Sequence, residues 1–305
     1  MKETQILNND SSSEVMDLFS LFNLFWKHKL LIIFITASFA LASVLYSLSI
    51  PNTYTSKGLV AHFDNNSSGS INSSGLSSLA QFAGISVKGG SGDRSELAME
   101  IVKSRKFIEN FVQKYNLLVP LMAANDWDRA TRKLIINPAI YDEEAKTWIS
   151  KRPSSVQVYN HFSSILSISK SKITGFITIS IEYFSPDLAK EWIDLIIADI
   201  NIAMKEQDLK EAESAVSYLQ DKLSITRLQS MKEVLSRVMQ SQIQVVMLAE
   251  VKEEYMLQTI DPAFVPEQKT KPNRAFICLV GTLIGGILSL IIVLIVSFLN
   301  SLKEE

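Results

Sequence analysis

Hydrophobic and polar positions alternate in blocks along this chain. Residues 30–50 and 275–299 form runs of 21 and 25 residues without a single charge. A bilayer core takes roughly 20 apolar residues as helix, so both runs are expected to span a membrane rather than form all-round apolar core helices. The first run does not read as a cleaved signal. Some 29 mostly polar residues precede it, it is longer than the usual ~7–15-residue apolar stretch, and no A-x-A site follows. It reads as an uncleaved signal anchor. Before it, residues 1–16 are polar and serine-rich and are expected to be disordered. Residues 17–26 (DLFSLFNLFW) space apolar side chains helically, predicting an interfacial helix with Trp26 at headgroup depth.

Between the spans, residues 51–274 are long enough for a domain with its own core. Residues 54–63 (YTSKGLVAHF) suit a strand close to the membrane, and residues 64–78 are an Asn, Ser and Gly-rich loop. Residues 84–92 (GISVKGGSG) lack the Gly-Lys-Ser/Thr ending of a phosphate loop and read as a flexible loop. Residues 95–117 carry Leu97, Ile101, Ile108, Phe111, Val112 and Tyr115 on one side of an amphipathic helix. Shorter helices are expected over 127–134 and 156–166. Residues 167–170 and 175–183 alternate as the two arms of a β-hairpin.

Ser185-Pro186 is an N-cap followed by proline at the first helical position, and residues 187–251 then contain neither Gly nor Pro. Apolar residues recur at helical spacing throughout, among them Leu209, Val216 and Leu219, then Leu235 and Val238. One helix of ~65 residues would reach ~100 Å. The remaining residues up to 274 span at most about 80 Å fully extended, so the helix must fold back. The weakest helix-forming patch places the reversal at residues 223–227. Legs of roughly 35 and 25 residues would rise ~40–50 Å, and residues 255–260 would re-enter the sheet as a strand. The expected class is α+β: a membrane-proximal base (51–184 and 251–274) with a helical hairpin (185–250), flanked by two transmembrane helices.

Charge and composition narrow the chemistry. Net charge is −2, from 30 basic and 32 acidic residues, and no block of like charge points to nucleic acid. The only cysteine, Cys278, falls in the second span, so the domain carries no disulfide. His28, His62 and His161 share no metal-ligand spacing, and Glu143-Glu144 reads as a solvated helix start rather than an acid/base pair. No G-x-S-x-G signature occurs. The sequons at Asn66 and Asn72 are of a kind that arises by chance in serine-rich loops. No catalytic, cofactor or metal site is expected.

Two constellations exceed background. Asp261, Pro262, Pro266, Lys271 and Pro272 mark a semi-rigid extended connector before the second span, serving either as a spacer or as a coupling element. Gly281, Gly285 and Gly286 place small residues four apart in the span, which allows close approach of another membrane helix, unless they are ordinary lipid-facing glycines. Charge gives conflicting orientations. Lys27 and Lys29 against Lys57 place the N-terminus in the cytoplasm, whereas Lys269, Lys271 and Arg274 against Lys303 argue the reverse. The first span usually dominates, which exports the domain.

In order along the chain, Asp17-Leu-Phe with Trp26-Lys, Pro51-Asn-Thr-Tyr54, Ser104-Arg105-Lys-Phe107, Trp148 near Pro153, Thr174-Gly175-Phe176, Ser185-Pro186 and Asp261-Pro262 through Pro272 resemble the polysaccharide co-polymerase, or Wzz-type chain-length determinant, family of bacterial inner-membrane proteins. The resemblance implies a periplasmic α+β base with a helical projection, cytoplasmic termini (1–29 and 300–305), and a ring-like homo-oligomer. It also implies a non-enzymatic role, setting the length of O-antigen or a related lipid-linked glycan together with the polymerase. The helical excursion is shorter than in longer members, and the tyrosine-kinase domain fused to some relatives is not expected, so a separate kinase partner stays open. An adaptor of a polysaccharide or protein export complex is the alternative, although such adaptors usually add a lipoyl-like β domain that this pattern lacks. An exported glycan hydrolase or transferase would need paired carboxylates, which the sequence does not display.

Overall fold

The computed structural model describes residues 25–62 and 91–301. The expectations for the N-terminal tail, for residues 17–24 of the interfacial helix, for the loops up to residue 90 and for residues 302–305 lie outside the described residues. The chain divides into two compact units, Met1–Pro51 with Lys271–Glu305, and Asn52–Thr270.

The first unit is a pair of apolar helices, α1 (Lys29–Ser49) and α8 (Arg274–Ser301). Both are long and apolar enough to cross a membrane. In α1 the most apolar window is only 6% buried, with Leu30, Phe34, Leu41 and Leu45 all exposed. A core helix would be enclosed, so this surface matches a lipid environment instead.

The second unit is built on a four-stranded antiparallel sheet ordered β6-β7-β1-β8, from β1 (Tyr54–His62), β6 (Leu166–Lys170), β7 (Ile177–Tyr183) and β8 (Leu257–Asp261). Strands β1 and β7 pair from Tyr54 with Tyr183 to Val60 with Ile177, so the first strand of the domain lies at the centre of the sheet. Ile177, Ile179, Ile181 and Tyr183 are all buried while the residues between them are half-buried, the two-residue period of a sheet with one covered face. The β6–β7 turn uses Gly175 at φ 73°, a conformation glycine adopts without Cβ strain.

Helix α6 (Pro186–Ile225) covers that face. The Ser185 side chain accepts from the Leu188 N–H, Pro186 occupies the first turn and Asp187 faces the positive helix end. Trp192 is wholly buried, 4.5 Å from the Tyr183 ring centroid and 6.1 Å from that of Phe162. Phe111 continues the aromatic cluster at 5.6 Å from Phe162. Helix α6 approaches β1 closely at Gly58, where an added Cβ would lie 3.1 Å from Ile193 Cγ2. Helices α2 (Ser91–Lys103), α3 (Arg105–Lys114), α4 (Leu118–Ala123) and α5 (Ser155–Ile165) complete the layer, α5 opening on a Ser154–Gln157 capping box.

Three local expectations are corrected. Residues 95–117 are not one helix. Ser104 takes an extended conformation and its hydroxyl accepts from Phe107 N–H, ending α2 and capping α3. Residues 127–134 are not helical but form a hairpin of β2 (Ala124–Asp128) and β3 (Lys133–Ile136). Asp128 redirects the chain by accepting from Ala130 N–H (2.9 Å) and the Thr131 hydroxyl (2.7 Å), contacts that hold its carboxyl below the usual carboxylate range. Glu143-Glu144 lies in the turn joining β4 (Tyr141–Asp142) and β5 (Thr147–Trp148), where Asp142 accepts from the Glu144 and Ala145 N–H groups, and does not begin a helix.

Helix α7 (Gln229–Val251) returns after a break at residues 226–228, where the Thr226 hydroxyl donates to Lys222 O. The outgoing leg is 40 residues, yet its first half lies on the sheet, and the return leg is 23 residues. At 1.5 Å per residue the return leg covers ~35 Å, so the excursion is shorter than the expected 40–50 Å.

Candidate functional site

Among the described residues the feature that sets this domain apart is the helical hairpin, together with its root. Along α6, buried positions are dense from Pro186 to Asp208 and then reduce to Ala212 and Leu219. On α7 only Ala249 is buried. Leu209, Val216, Leu235 and Val238 are half-buried, and Leu209 packs against the domain core. A second set of apolar positions on the two helices stays in solvent. Tyr218, Ile225, Leu228, Val234, Met247 and Val251 are exposed, up to 82% for Val251. They spread from the tip, at Ile225 and Leu228, to the root end of α7, at Met247 and Val251.

The root of the hairpin is held by two polar side chains seven positions apart on one face of α6. Asn201 is buried; its Oδ1 accepts from the Met256 and Leu257 N–H groups at 2.8 Å each, and its Nδ2 donates to Leu257 O at 2.9 Å. Asp208, also buried, accepts from the Arg94 guanidinium and from the Tyr255 hydroxyl at 2.6 Å. Burial, then the Asp208 contact, push the Tyr255 phenol far above its ordinary value, so it stays protonated as a donor. The chain leaving the sheet and the chain returning to it are thereby joined side by side.

After β8 the connector runs back along β1. Asp261 ends the strand, opposite Leu59. Beyond Pro262, Ala263 and Pro266 are buried, Ser56 Oγ donates to Phe264 O at 2.7 Å, and Thr270 N–H donates to Thr53 O at 2.8 Å. The segment is an extended strap fastened at both ends, without helix or strand. Lys271 and Pro272 fall in the other unit and are joined by a cis peptide bond.

Within the helix pair, an added Cβ at Gly281 would lie 2.4 Å from Ser43 Cβ, and one at Gly285 would lie 2.5 Å from Phe39 Cβ. These two glycines admit the chain's own first helix. Gly286 has nothing within 4 Å.

Residues 14–115 match the family model Wzz, chain length determinant protein. Over this stretch the chain is similar to chain length determinant proteins. The matched segment holds Phe39, Ser43, Gly58 and Arg94, the near sides of the two glycine contacts, of the α6 approach and of the Asp208 pair. The hairpin itself lies beyond it. Two solved structures are similar. A full-length bacterial polysaccharide co-polymerase shares 13% identity, with 93% of this chain and 99% of that chain covered at a TM-score of 0.41. A fragment of WzzB, polysaccharide co-polymerase from Salmonella Typhimurium, shares 9% identity, with 72% and 100% covered at 0.28. Scores this low leave the fold to be read from the chain's own geometry. No curated protein matches the chain.

Proposed function

We propose that this chain is a non-enzymatic regulator of surface polysaccharide chain length, an O-antigen-like lipopolysaccharide being the glycan class, acting as a homo-oligomeric scaffold beside the polymerase in the bacterial inner membrane. The domain of residues 52–270 faces the periplasm and both termini face the cytoplasm. The observation that carries the reading is the Wzz match on a chain with two membrane-length helices enclosing one domain. The exposed apolar tip supports the scaffold role. A two-helix hairpin in water leaves apolar surface that a neighbouring copy would cover. Tyr218, Ile225 and Val234 would form that contact, while Leu209, Val216, Leu219, Leu235 and Val238 hold the hairpin together. Gly281 and Gly285 keep the spans paired, Gly286 remains for another membrane helix, and the strap from Asp261 through Pro262 and Pro266 to Lys271 and Pro272 couples domain to span. Lipid-linked glycan and membrane lipid are the remaining partners.

Deletion of the gene tests the reading. The expected result is a broadened or shifted glycan ladder on a gel, with glycan still made. An unchanged ladder would remove it.

A further inference from the structure

We propose that the cleft between the β2–β3 turn, the start of α6 and the strap is a binding subsite for a neutral saccharide unit of a glycan. Its volume is about 390 Å³, and Tyr54, Trp127, Arg129, Arg132, Asp187 and Glu267 supply its chemistry. This volume is within the range of small-molecule sites, roughly 300–1,000 Å³. The proposal rests on the polysaccharide reading above for its ligand class and on three observations for its place.

Tyr54 and Trp127 stand edge to face at 5.7 Å and 74°, giving the cleft an aromatic wall of the kind that takes the C–H face of a sugar ring. The charges are arranged for a ligand without charge. Arg132 is committed to Asp187 through both Nε, at 3.1 Å, and Nη2. Among the described residues Arg129 and Glu267 make no ion pair, and they leave one donor fork and one acceptor pair at the rim. An anion would meet two carboxylates and a cation two guanidinium groups. A polyol, which donates and accepts at each hydroxyl, uses both. Finally, the cleft continues into a second groove of about 600 Å³ that shares Val265, Pro266 and Glu267 and extends along Thr55, Lys57 and Phe264. The occupant is therefore a segment of a chain rather than a single sugar.

The test uses the full-length protein in detergent micelles. The ligand is the neutral pool of short oligosaccharides released by mild acid from the source cell's surface glycan and passed through an anion exchanger. Binding is followed by saturation-transfer NMR and calorimetry. Arg129→Gln and Glu267→Gln alter solvent-reachable groups, and each is expected to weaken binding at least tenfold. Trp127→Phe keeps a ring but shrinks the aromatic wall and is expected to weaken it about threefold. Arg105→Gln, on the surface of α3, is expected to leave it unchanged. No binding by the unaltered protein, binding confined to the anionic fraction, or unaltered affinity in both Arg129→Gln and Glu267→Gln would overturn the proposal. Deletion of the gene separates the two readings. A shifted ladder with cleft variants that bind normally defeats the cleft alone. An unchanged ladder with binding that still depends on Arg129 and Glu267 defeats the chain-length role and leaves the cleft standing.

Discussion

The two halves of α6 belong to one unbroken helix and do opposite work. From Pro186 to Asp208 the helix presses Trp192, Ile193, Ile196 and Ile200 into the sheet with no exposure, and its polar side chains Asn201 and Asp208 are fully engaged. From Leu209 to Ile225 it leans on one partner helix and shows Tyr218 and Ile225 to solvent. Helix propensity barely distinguishes the halves, so the difference comes from tertiary surroundings. The lower half determines whether the domain folds. The upper half is where assembly would be decided.

Four tests sharpen that contrast. Trp192→Ala removes the largest buried side chain of the core and is expected to cost about 3–5 kcal/mol, read as a lower denaturation midpoint of the full-length protein in detergent. A loss below 1 kcal/mol would mean the aromatic cluster is not the base of stability. Asp208→Asn keeps the shape but weakens the acceptor for Arg94 and Tyr255. Arg94 is half exposed and can turn to water, so the expected loss is about 1–3 kcal/mol. Gly58→Ala forces a Cβ against Ile193, for a loss of about 1–2 kcal/mol, with Gly58→Ser no better. At the tip, Tyr218→Lys with Val234→Lys, both exposed, is expected to move unfolding by no more than about 0.5 kcal/mol, yet to reduce the oligomer measured by light scattering. A tip variant that keeps its oligomer while the base variants lose theirs would invert the comparison.

Much of this architecture could be read from residue patterns, where the signals were local. The spans followed from uncharged length, α6 from Ser185-Pro186, and the reversal from the weak helix-forming patch at residues 223–227, which overlaps the observed break at 226–228. The β6–β7 hairpin followed from alternation. What escaped depended on side chains capturing backbone. Ser104 splits a continuous apolar pattern in two, and residues 127–134 contain good helix formers that Asp128 nevertheless turns into a hairpin. Tyr54, Trp127, Asp187 and Glu267 come together from four distant segments, and no spacing in the chain announces it. The exposed tip residues were in view as apolar positions, but which of them face a partner and which face water is settled by packing rather than by period.

The Asn201 and Asp208 ties also give the hairpin a boundary. Because they fasten the outgoing chain to Tyr255, Met256 and Leu257, everything between residues 209 and 254 is a cassette closed at its neck. Seven residues removed from each leg, two helical turns apiece, would leave the neck in register. Such a shortened protein is expected to unfold at the same denaturant concentration as the parent. The reach of the domain is thus a quantity that evolution, or a designer, can adjust without rebuilding the sheet that supports it.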